Sequence, residues 1–66
     1  MAKYIVESYA FWFIVDANTK RQAYSEGVKE FGRGGVKSVL IATEADIQYF
    51  KSVKGDDAIM KAEAKQ

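Results

Sequence analysis

The sequence predicts a small α/β domain, with small α+β as the alternative, in the order β-α-β-α. Three observations carry that prediction. The aromatic and β-branched run from Ser8 to Ala17 suits a buried, pleated strand. Two stretches with apolar residues at helical spacing follow it, each opened by a threonine and closed by a glycine. A second short apolar run lies between those stretches, as a strand-helix-strand unit requires.

Residues 3–17 read as one long, bulged strand. Alternation puts Ile5, Glu7, Tyr9, Phe11, Phe13, Val15 and Ala17 on one face. Tyr4, Val6, Ser8, Ala10, Trp12, Ile14 and Asp16 fall on the other, and both faces are mostly apolar. Such a strand would exceed about 40 Å, against a usual length of about 20 Å. That length leaves room for a bend or bulge near Ser8, or for two strands parting there, but no Gly, Pro or Asn marks a turn and one long strand is the preferred reading.

Asn18 and Thr19 end this strand, and Thr19 with Gln22 fits the capping-box spacing. Residues 20–31 read as helix, with Ala23, Tyr24, Gly27, Val28 and Phe31 in one stripe. Gly27 costs about 1 kcal/mol against alanine inside a helix, a cost that close packing on a sheet would offset. Gly32 is a natural C-terminal cap, and Arg33-Gly34-Gly35 a flexible turn. Residues 36–42 form the second strand, where Val36, Val39, Leu40 and Ile41 give a buried, two-sided character. Thr43 followed by Glu44 and Asp46 opens a second helix, with Ile47, Phe50 and Val53 as its apolar stripe and Gly55 as its stop. Residues 1–55 thus make a single domain. Residues 56–66, with only Ile59 and Met60 as large apolar anchors, form a C-terminal helix or a flexible tail.

Two strands joined by a crossover helix should be parallel. A two-stranded sheet is marginal, however, and the first strand outruns the second by about half its length. A homodimer or higher symmetric oligomer, completing the sheet through Tyr4, Val6, Ala10, Trp12 and Ile14, answers both problems.

Composition narrows the chemistry. At 66 residues the chain is near the lower limit for a self-sufficient core, and it has no cysteine and no histidine. Disulfides, thiolate metal sites, a cysteine nucleophile and the commonest general base are thereby excluded. The serines have no histidine to activate them, and the pairs Glu44/Asp46 and Asp56/Asp57 read as helix N-terminal charges rather than a calcium loop. The expectation is a non-enzyme with no cofactor and no metal. Net charge is +1 and 48% of residues are hydrophobic, which argues for a folded core and against a polyelectrolyte. The N-terminus lacks a signal-peptide pattern and no run is long enough to span a bilayer, so a cytoplasmic location without membrane contact is expected.

Gly32-Arg33-Gly34-Gly35 follows a helix and precedes a strand, the reverse of a phosphate cradle, so it reads as cap and turn. Residues 18–42 carry the cations Lys20, Arg21, Lys29, Arg33 and Lys37 against the acids Glu26 and Glu30. Tyr9-Ala10-Phe11 resembles the core of the first signature of the RNA-recognition motif, where two aromatics on a sheet stack bases. The strand-helix-strand order also resembles the second half of that domain, so the resemblance covers roughly half of the chain. Ser8 stands where that family has glycine and Glu7 where it has a basic residue. The resemblance implies base stacking by Tyr9 and Phe11, with the five cations on phosphates. The leading expectation is instead a non-enzymatic interaction protein of adaptor or inhibitor type, acting as a homo-oligomer on a protein partner; nucleic-acid binding is the alternative.

Overall fold

The computed structural model describes residues 2–55 and 58–61. The long N-terminal run is two strands, β1 (Ala2–Ser8) and β2 (Trp12–Ala17), paired antiparallel with Tyr4 opposite Val15 and Val6 opposite Phe13. Ser8 makes the break. Its backbone N–H donates to the Phe11 carbonyl at 2.7 Å. Its hydroxyl accepts from the N–H groups of Ala10 (3.1 Å) and Phe11 (2.8 Å) and donates to the Phe11 carbonyl at 2.7 Å. No non-glycine residue among those described has a positive φ, so this turn needs no Asn-Gly pair; a serine side chain supplies what turn chemistry otherwise draws from the backbone.

The break also reverses the expected faces. Tyr4 and Val6 share a face with Phe13 and Val15, not with Trp12 and Ile14. β3 (Val36–Ile41) then pairs antiparallel with the other side of β1, and β4 (Met60–Lys61) pairs parallel with β2, giving the order β3-β1-β2-β4. β2 and β3, joined by the crossover helix, do run parallel, but β1 lies between them. The small α+β alternative is the one observed, and the strand that the two-strand reading lacked comes from within the chain. The expected helix or tail over 56–66 falls mostly outside the described residues; its described part leads into β4.

Helix α1 (Lys20–Phe31) covers one face. Thr19 caps it by accepting from Gln22 N–H at 3.0 Å, while Gln22 Oε1 accepts from Asn18 N–H at 2.7 Å, so the return bond lands one residue before the cap. Tyr4, Val6, Val15, Ala17, Ala23 and Val39 form the core, with Phe13, Phe31 and Val36 packed around it. Gly27 sits where a Cβ would lie 2.6 Å from Val6 Cγ1 and 2.9 Å from Val36 Cγ2, the close approach its position predicts. The buried stripe is turned relative to expectation: Glu26 lies inside beside Ala23 and Gly27, its carboxylate 3.3 Å from Lys29 Nζ, and Tyr24 faces out.

Helix α2 (Glu44–Lys54) starts at a full capping box between Thr43 and Asp46. It meets the opposite face. Trp12, one residue from core-facing Phe13, lies against Phe50 with ring centroids 5.1 Å apart and stacks on Tyr49 at 6.2 Å. Ile14 and Phe50 are buried on this side.

Candidate functional site

With β1 inside the sheet, β3 becomes an edge strand, and this is the feature that the two-sided reading of residues 36–42 missed. Only Val39 of β3 is buried; Leu40 is 51% exposed and Ile41 63%. The Ala42 N–H donates to the Lys3 carbonyl at 2.9 Å, which marks Ala42 and Lys3 as a hydrogen-bonded pair. Antiparallel alternation then makes Leu40 and Ile5 the next such pair and turns the N–H and C=O groups of Val39 and Ile41 away from β1. Among the described residues no strand meets them.

A shallow, open groove borders this edge, lined by Lys20, Arg21 and Tyr24 of α1 and by Val36, Lys37 and Leu40 of β3. Tyr24 is 44% exposed and adds an aromatic ring to the wall. Three of the five expected cations, Lys20, Arg21 and Lys37, therefore converge here. The nearby carboxylate of Glu7 is occupied by the Ser38 hydroxyl, which donates to it at 2.6 Å.

The other expected contacts lie elsewhere. Lys29 is paired with Glu26, and Arg33 stands in the turn after α1 beside Ser25, Val28 and Gly34. Tyr9 (77% exposed) and Phe11 (60%) belong to the β1–β2 turn, not to a sheet face, with the Phe11 ring 5.6 Å from Phe31. The base-stacking platform implied by the RNA-recognition resemblance is thus not assembled from these two residues, because the turn lifts them off the sheet. The residues expected at an oligomer interface do not share a surface either. Tyr4 and Val6 are buried under α1, Ile14 is buried on the α2 side, Trp12 is half-buried against α2, and Ala10 lies in the turn. Alternation counted through an unrecognised turn put them on one face.

The described residues include no group of three or more His, Cys, Asp and Glu placed to hold a metal ion. Asp46 is used as a helix cap, Ser52 donates to the Tyr49 carbonyl at 2.8 Å, and Asp56 and Asp57 lie outside the described residues. No described helix is long and apolar enough to cross a membrane. Comparison with protein families, with curated proteins and with solved structures gives no match to this chain.

Proposed function

We propose that the protein is a small non-enzymatic interaction module of adaptor or inhibitor type, which takes an extended segment of a partner protein as an added strand on β3. The observation that carries this reading is the open β3 edge, where outward backbone groups at Val39 and Ile41 adjoin the exposed side chains of Leu40 and Ile41. Strand addition draws affinity from main-chain hydrogen bonds and selectivity from flanking pockets. The reading needs no cofactor and no membrane, and a cytoplasmic location is part of the proposal.

Ile41→Pro is the direct test. It deletes an outward N–H without touching the ladder to β1, because proline is tolerated on a strand edge whose N–H faces solvent. In pull-downs from lysate, the partner captured by the unaltered chain should be lost with this variant. A partner retained in full by Ile41→Pro does not dock on the edge, and the reading falls.

A second copy of the chain is the second reading, favoured by the self-complementarity of an antiparallel edge. A two-fold axis at Val39 would set Ile41 of one copy opposite Lys37 of the other, so the two lysines would not face each other. A solution mass twice that of the chain, lost on Ile41→Pro, would establish it.

A further inference from the structure

We infer that the segment docking on β3 is acidic and alternates with apolar residues, so that the site selects its partner by charge. This inference rests on strand addition at β3 and names the chemistry of the added strand.

The argument starts from what surrounds the edge. A strand laid antiparallel against β3 would direct its backbone to Val39 and Ile41, and its side chains alternately to the two faces of the sheet. On the α1 face those side chains would meet the first turn of α1, where Lys20 and Arg21 project beside Tyr24, and Lys37 lines the same groove from β3. Lys20, Arg21 and Lys37 are all exposed. None of them has an ion-pair partner among the described contacts, whereas Lys3 and Lys29 are paired with Asp16 and Glu26. Among the described residues, the carboxylate tied to β3 is that of Glu7, and it is bound to Ser38. A carboxylate arriving in the groove therefore finds three cations and, among the described residues lining it, no acid to displace. The exposed Leu40 supplies the apolar contact for the residues between.

The same charges argue against a second copy as the preferred occupant. Edge-to-edge pairing of two chains would gather two sets of Lys20, Arg21 and Lys37 along one seam and raise the positive charge there, even with the two Lys37 side chains offset. Acidic residues on the incoming strand reverse that sign and speed the encounter.

The probe is a short capped peptide alternating glutamate and valine, with counterparts in which glutamine or lysine replaces glutamate, titrated into the full chain by fluorescence anisotropy and by amide NMR. The glutamate peptide should shift the Val39 and Ile41 amides, and its affinity should fall steeply between low and high salt. Arg21→Glu combined with Lys37→Glu, both on exposed side chains, should weaken it by about tenfold or more and improve the lysine peptide. Ile41→Pro should abolish binding of every peptide, and a thermal melt of each variant confirms that the fold survives. Equal affinity for the glutamate and glutamine peptides, still lost on Ile41→Pro, overturns the charge selection and leaves strand addition standing. Peptide binding indifferent to Ile41→Pro overturns strand addition itself. A single-stranded oligonucleotide that binds through Lys20, Arg21 and Lys37 in the Ile41→Pro chain more tightly than any peptide binds the unaltered chain overturns the inference in favour of nucleic acid.

Discussion

At the scale of single residues, Ser8 decides more than its size suggests. Its hydroxyl satisfies two N–H groups of a turn that carries Tyr9 and Ala10 at its centre, neither of them a turn-forming residue. Ser8→Ala should lower stability by about 1 kcal/mol, read as a lower urea midpoint at unchanged slope. An unchanged midpoint would mean that the flanking strands alone hold the turn. This is also where the sequence was least legible. Turn signals are read from Gly, Pro and Asn, and a lone serine within an aromatic run is weighed as strand. The helix ends were readable for the opposite reason: Thr19, Gly32, Thr43 and Gly55 each do a local task that needs no knowledge of the tertiary fold.

At the scale of elements, one turn changes the role of every strand. With residues 3–17 split, β1 becomes interior, β3 becomes an edge, and each face of the run is divided, so that Tyr4, Val6, Phe13 and Val15 lie under α1 while Trp12 and Ile14 lie on the α2 side. The existence and bounds of α1 and α2 were legible from periodicity and caps. Their placement on opposite faces was not, because it depends on the parity of the register across the hairpin. The basic groove was half legible: the five cations are visible in the sequence, but only the fold selects Lys20, Arg21 and Lys37 and diverts Lys29 to Glu26. Trp12 tests the arrangement. Its ring fixes α2 to the sheet through Tyr49 and Phe50, so Trp12→Ala should cost about 3 kcal/mol of stability, independent of protein concentration. A loss that grows on dilution would place Trp12 between copies instead.

At the scale of the whole molecule, both faces of the sheet carry a helix, and β4 borders β2, while the outer side of β3 stands open among the described residues. Hydrogen exchange reads this asymmetry directly. The Leu40 amide points to β1 and should be protected, whereas the Val39 and Ile41 amides should exchange markedly faster. Equal protection of all three would show that the edge is covered in solution.

The place of β1 between β2 and β3 also sets a timetable. During synthesis β1 and β2 leave the ribosome together and can close as a hairpin at once, since their contacts are local. The other side of β1 has no partner until β3 emerges: Glu7 waits for Ser38, 31 residues downstream. Throughout that interval the strand that will be central to the finished sheet is its most exposed margin, with Tyr4 and Val6 bare until α1 and β3 arrive. The nascent chain is therefore at its stickiest after the hairpin has emerged and before α1 and β3 follow it out, and the brevity of the α1 crossover limits how long that state lasts.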